Sequence, residues 1–406
     1  MAQPATQTSP FRAVSYPWRL YSGVDALANL ADEVRRHNAQ RAFVICGQTV
    51  SQRTNLLQRI IDQLGGLYAG AFDRMGKDCT YTSVVSATAA ARAAAADLII
   101  AVGGGSVIQG ARVVAILLAE KGSPYDLMTQ YPEGKPAVSP RLSAPKIPII
   151  NVPTTPTSAM NRAGSALKND ELDHRMEFFD PKTRPVALFW DSEALLTAPL
   201  SLARSAGTTT YTGSLQGVVA QSPNPLVEGD YAQAYRLASR ALPRMLDEPD
   251  NAGLRIDLCT AAFLQNRAAD DGLRGARERT WSISYALGTA VHIRYDHIGQ
   301  GEATSAVTPS VIRRTAARSD VAARLAETFG VWKAEMTAEA AASAAADALE
   351  DFYRSIGMPV RVRELQIPEA DLPLLARDTL MNFNANPGER PPNYRDEMLD
   401  TLRACW

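Results

Sequence analysis

The stretch Leu98-Ile99-Ile100-Ala101-Val102-Gly103-Gly104-Gly105-Ser106 decides the fold of this chain. Its first five residues are apolar and three of them are β-branched, which reads as a strand buried on both faces. Three glycines and a serine follow at once. From Val107 to Leu118 the apolar residues then take helical spacing. Strand, glycine turn and helix in that order bring free amides and a hydroxyl to a helix N-terminus, where the dipole also favours an anion. Three consecutive glycines are more than a tight turn needs, so a phosphate or pyrophosphate is expected here. The run is not GxGxxG, and the ordinary dinucleotide fingerprint is not met.

Outward from this run, Ala42–Cys46, Ile147–Val152 and Val186–Trp190 are further apolar strands. Leu56, Leu57, Ile60, Ile61 and Leu64 mark a helix between the first of them and the central strand. Alternating apolar strands and helices predict an α/β domain with a parallel sheet, Rossmann-like in its nucleotide binding. After Thr197 the spacing is helical to Trp406, which predicts an all-α second domain. The expected division is a loose tail over 1–13, a nucleotide-binding domain over 14–197 and a helical domain over 198–406. Proline-rich Tyr131–Pro148 reads as a surface loop.

The chain has 406 residues, a formal net charge of -1 and 21 % charged residues, which argues against a dedicated nucleic-acid or anionic-membrane binder. Its 4 cysteines are scattered, with no CxxC, so neither a disulfide framework nor a cysteine-rich zinc site is expected. No apolar run reaches the roughly 18 residues of a membrane helix, and the polar first ten residues lack a signal core. The expectation is a cytoplasmic enzyme acting on a small molecule.

Two further turns belong with the glycine run. Pro153-Thr154-Thr155-Pro156-Thr157-Ser158 follows a strand and carries four hydroxyls, and ligands of parallel sheets bind beyond the carboxyl ends of strands. Gly47 and Gln48 follow Ala42–Cys46 and carry no acid, so a ribose 2′-phosphate would not be repelled there, and NAD and NADP both stay open.

With Trp18–Gly23, Phe179-Asp180-Pro181, Val186–Asp191, Asn386-Pro387-Gly388 and Met398–Trp406, these residues resemble the iron-containing (group III) alcohol dehydrogenase family of the dehydroquinate-synthase-like superfamily. The resemblance implies NAD(P) held in a cleft between the two domains, and a homo-oligomer, a homodimer at the least. It places Gly104, Gly105 and Ser106 on the pyrophosphate, and Thr154, Thr155 and Ser158 along the ribose and nicotinamide. It places Gly47 and Gln48 by the adenosine ribose, and Arg175 where relatives keep a lysine near the cofactor. Gln109 and Arg112 replace the aspartate and lysine that usually follow the glycine run.

The family's metal is held by an aspartate and three histidines. The matching positions carry Thr209, Gly213, Trp281 with Tyr285 a turn later, and Gln300. Iron and zinc want imidazole or carboxylate donors, so neither metal is expected. The donors left for the substrate oxygen are Tyr211, Tyr285, Arg162 and His297, with Trp281, Thr209 and Gln300 behind them. Arg162 also suits an anionic substrate. His292 and His297 flank Asp296 in what reads as a loop insertion. The expected activity is metal-independent, NAD(P)-dependent oxidoreduction of a carbonyl, an alcohol or an activated double bond. A non-redox lyase, isomerase or dehydratase using the same cleft, or a nucleotide-binding pseudoenzyme, remains the alternative.

Overall fold

The computed structural model describes residues 11–132, 135–172, 174–220, 222, 224–272, 279–318, 320–382 and 394–406. Most of the N-terminal tail, Pro223 and the Asn386-Pro387-Gly388 motif lie outside the described residues. Among the described residues there are eight strands: β1 Arg19–Gly23, β2 Ala42–Cys46, β3 Tyr68–Phe72, β4 Leu98–Gly103, β5 Ile149–Pro153, β6 Gly164–Leu167, β7 Met176–Phe179 and β8 Ala187–Asp191. Six form one sheet in the order β1-β8-β5-β4-β2-β3, every neighbouring pair parallel. β6 and β7 form a separate antiparallel ribbon.

Both faces of the sheet are covered, which explains the unbroken apolar runs. Along β4, Ile99 and Ala101 enter one core with Phe43, Leu188 and Trp190. Leu98, Ile100 and Val102 enter another with Val44, Val152 and Phe189. The four strands read from sequence are those buried along their whole length. β1 and β3 are edge strands with half-exposed residues, and the ribbon strands have 4 residues each, so their apolar signal is faint. β1 was legible only through the family resemblance, and β3, β6 and β7 were missed.

Seven helices position the site: α1 Gln48–Arg53, α2 Gly105–Ala119, α3 Leu200–Val219, α4 Pro225–Asp247, α5 Ala252–Gly272, α6 Arg279–Arg294 and α7 Gln300–Thr315. Among the described residues every element after Asp191 is helical. Cys259 and Ala262 of α5 enter the core on one face of the sheet, so the helical half packs directly on the α/β half.

Helix contacts in the second half are close. A Cβ built on Gly301 would overlap the backbone of Ser205, so α7 meets α3 main chain to main chain. Gly301→Ala is expected to cost about 1–3 kcal/mol of stability, because backbone cannot swing aside as a side chain can. Gly66→Ala, where the added methyl meets open space, serves as the control in the same denaturant titration.

Candidate active site

β4 and β5 are adjacent, and Gly103 pairs in register with Pro153. The glycine run and the hydroxyl run therefore leave the sheet side by side, tied by the Thr154 amide donating to the Gly103 carbonyl at 3.1 Å. The chain goes from β2 outward to β3 and returns on the other side of β2 to form β4. That reversal opens a crevice at the carboxyl ends of β2 and β4, where open parallel sheets hold ligands. Gly47 caps α1 and Gly104 caps α2, each in extended backbone and without a capping side chain. Gly103 has φ +153°, and a Cβ there would press on Val107. A Cβ on Gly105 would stand 3.0 Å from Thr157 Oγ1, so side chains at these positions would fill the cradle. Gly47, Gln48, Gly104, Gly105, Ser106, Thr154, Thr155 and Ser158 thus share the carboxyl edge of the sheet.

The same loop is bound to the helical half. Thr210 Oγ1 of α3 donates to the Pro156 carbonyl at 3.1 Å. Asn266 Nδ2 of α5 donates to the Ser158 carbonyl at 2.8 Å and to Asn161 Oδ1. Asn266 Oδ1 accepts from Arg162 Nε. Arg184 reaches Asp270 at 2.8 Å. Arg112 is wholly buried and donates to the carbonyls of Ala159 and Gly164, and burial pulls its pKa down to about 9. It props the loop from behind and does not face the crevice.

The expected donors fare unequally. Tyr211 is buried in the helical core, stacked on Phe352 with ring centroids 4.1 Å apart, and burial pushes its phenol well up. It is a packing residue, as is Trp281. Arg162 is tied to Asn266, so it braces the loop and is not an open anion site. His297 is exposed beyond the end of α6, its Nε2 at 3.2 Å from the Leu365 carbonyl. Tyr285, 37 % exposed, stands apart from the otherwise buried residues around it on α6. Arg175 lines a cavity of about 290 Å³ between the β6–β7 ribbon and α6, with Lys168, Thr289 and Arg294.

At the family's metal positions, Thr209 Oγ1 turns back to the Ala206 carbonyl at 2.7 Å and Trp281 is core. A Cβ built on Gly213 would overlap Gln265 Oε1, so a side chain at that position would have to displace the Gln265 amide. Among the described residues no three His, Cys, Asp or Glu side chains gather to hold a metal ion. This donor set does not fit iron or zinc.

One residue near the crevice carries no signal in the sequence, and one that the sequence puts in a loop lies elsewhere. Asp78, with φ +55°, gives its amide to Ser106 Oγ at 3.0 Å, which leaves the serine O–H to donate elsewhere. Burial raises the Asp78 carboxyl against the pull of Lys77, Arg175 and Lys168. His292 is no loop histidine: it lies on α6, buried, with Nδ1 at 3.2 Å from the Gly288 carbonyl. Burial, with Arg175 and Lys77 nearby, lowers its pKa to about 3.

A parallel-sheet nucleotide crevice closed by a helical half defines a dehydrogenase-type architecture. The family models agree: iron-containing alcohol dehydrogenase matches residues 17–192, and the C-terminal domain of the same family matches 214–406. The chain belongs to the iron-containing alcohol dehydrogenase family and is an oxidoreductase of that type. It is similar to lactaldehyde reductase of Escherichia coli (strain K12), 24 % identical over 95 % of this chain and 97 % of the relative. It is also similar to maleylacetate reductase 2 of Cupriavidus pinatubonensis, 27 % identical over 63 % of this chain and 62 % of the relative. Among solved structures, a 1,3-propanediol oxidoreductase covers 98 % of this chain and 100 % of its own at 20 % identity and TM-score 0.82, a likeness of fold.

Because His292 is held neutral when folded, the unfolded chain binds a proton near pH 6.5 that the folded chain refuses down to about 3. Its stability contribution is full above the unfolded pKa and falls as pH drops, by up to about 1.4 kcal/mol per pH unit. His292→Asn should show a shallower loss of unfolding free energy between those limits than the wild type.

Proposed function

We propose that this chain interconverts a small alcohol and its carbonyl with NAD(P), without bound iron or zinc. The observation that carries the reading is the in-register placement of the glycine run beside the hydroxyl run at the topological reversal of the sheet. A bound nicotinamide dinucleotide supplies or takes the hydride. Gly104, Gly105 and Ser106 hold its pyrophosphate, Gly47 and Gln48 flank the adenosine, and Thr154, Thr155 and Ser158 line the ribose and nicotinamide. Arg175 offers a cation beside them. The relatives' printed activities run from methanol and lactaldehyde to long-chain alcohols, which supports an alcohol or aldehyde substrate, and those on 4-hydroxybutyrate and maleylacetate support an anionic one. Hydrogen-bond donors in a dry cleft take over the polarisation that a cation provides elsewhere in such enzymes. Tyr285 on α6, a turn after the ligand position that Trp281 fills and partly exposed, is the donor proposed. Four free, buried thiols support a reducing, cytoplasmic setting in this reading, and a homodimer is the assembly it takes from the family resemblance.

Fluorescence titration with NADH and NADPH tests the cofactor site. Gly105→Val fills the cradle and is expected to weaken binding at least about tenfold, the equivalent of 1.4 kcal/mol. Equal affinity in wild type and variant would remove the site. For the metal, turnover is expected to survive exhaustive chelation and to gain nothing from added Fe(II) or Zn(II). Elemental analysis showing one metal per chain, with activity proportional to it, would overturn metal independence.

A further inference from the structure

The cavity of about 290 Å³ between the β6–β7 ribbon and α6 lies beside the glycine run. The Asp78 amide donates to Ser106 Oγ at 3.0 Å, and the Lys168 amide donates to the Asp78 carbonyl at 3.3 Å. Two hydrogen bonds thus lead from the cradle to the cavity wall. The volume is just below the roughly 300–1,000 Å³ of ordinary ligand sites, which suits a short molecule.

The charges around this cavity are unequally spent. Arg294 pairs with Asp378 at 2.5 Å, and Lys168 with Asp296 at 2.7 Å. Glu177 accepts from the Tyr131 hydroxyl, and Asp170 is exposed. Arg175 makes no ion pair among the described residues. Its Nη2 donates to the Ala166 carbonyl at 3.2 Å, and its buried Nε has no partner. On the α6 wall, Thr289 is 5 % exposed, and its buried hydroxyl has no partner either. A mid-helix threonine ordinarily returns its hydroxyl to the carbonyl four residues back, as Thr308 and Thr315 of α7 do, and Thr289 does not. Burying an unpaired donor is costly, so such groups are kept where a ligand takes the bond. Burial, with Arg175 and Lys77, keeps His292 neutral, which marks the region as electropositive.

We propose that Arg175 and Thr289 form a subsite for the carboxylate of a short hydroxy or oxo acid, and so set a preference for anionic substrates. The inference rests on the function proposed above, which puts the hydroxyl or carbonyl end of the same molecule at the nicotinamide. One carboxylate oxygen accepts from the Arg175 Nε–H and the other from the Thr289 O–H. A charge-assisted bond is about twice as strong as a neutral one, so Arg175 carries the larger share. A neutral alcohol of equal length leaves the guanidinium without a counter-charge and binds less well.

The test uses the full chain saturated with NADH, and calorimetric titration with two probes of equal length, 4-hydroxybutyrate and 1,4-butanediol. The wild type is expected to bind the acid at least about tenfold tighter than the diol. Arg175→Gln should remove that preference, Arg175→Lys should keep part of it, and Thr289→Val should reduce it about fivefold. Equal affinity for the two probes in the wild type, no binding of the acid, or a preference left intact in Arg175→Gln or Thr289→Val overturns the subsite. So does a loss of affinity in Arg175→Gln that is larger for NADPH than for NADH, because the cation would then serve a cofactor phosphate. Thr289→Val keeps the side-chain shape, so its result decides even where Arg175→Gln fails to fold. Failure of the wild type to bind either nucleotide would instead remove the proposed function, and the subsite with it.

Discussion

The side chain of Asn266 is the joint on which the two halves of the molecule turn. Its amide nitrogen donates to Ser158 and Asn161, and its oxygen accepts from Arg162. All these groups lie at or near the carboxyl edge of the sheet, and Asn266 belongs to a helix of the other half. A fully satisfied buried network of this kind fixes a single arrangement, because each broken bond would strand a polar group away from water. Thr210 and Arg184 extend it on either side. The loop that would face a nicotinamide is therefore held from the helical side, and its geometry follows the packing of α3 and α5 against the sheet.

That arrangement explains how the fold persists with an altered ligand set. A metal site would join α3, α6 and α7 through imidazole and carboxylate arms. Here Trp281 contributes apolar burial, Gly301 lets α7 lie directly on α3, and Ser205 accepts the Gly301 amide at 3.0 Å. Close packing supplies what coordination would have supplied. Lys168 pairs with Asp296 at 2.7 Å, and Lys77 donates to the Asp296 carbonyl, which adds a second tie between the halves on the far side of the crevice.

Residues whose role is set by their immediate neighbours along the chain were legible. The strand, three glycines and helix around Gly103 could be read because backbone conformation and amide supply are local properties. The buried strands could be read because burial on both faces leaves almost no polar position in the run, Asn151 of β5 being an exception. The candidate donors were a different matter. Tyr211, Arg162 and His297 have the right functional groups, yet Tyr211 stacks on Phe352, Arg162 is spent on Asn266 and His297 points outward to Leu365. His292 was read as part of a loop and is buried on a helix. Asp78, Thr289 and Asn266 carried no signal at all, since an isolated Asp, Thr or Asn looks like any solvated residue until its neighbours are known.

By itself the sequence determined the α/β-then-α order, the buried strands and the glycine turn between strand and helix, because each is written in residue type and spacing, while the altered metal-ligand positions follow from the family resemblance. Only the tertiary structure decided which side chains meet across the crevice. That depends on the register of β4 against β5 and on the approach of α3 to α5, contacts between residues tens to more than a hundred positions apart. Their distances follow from packing, and no local pattern encodes them.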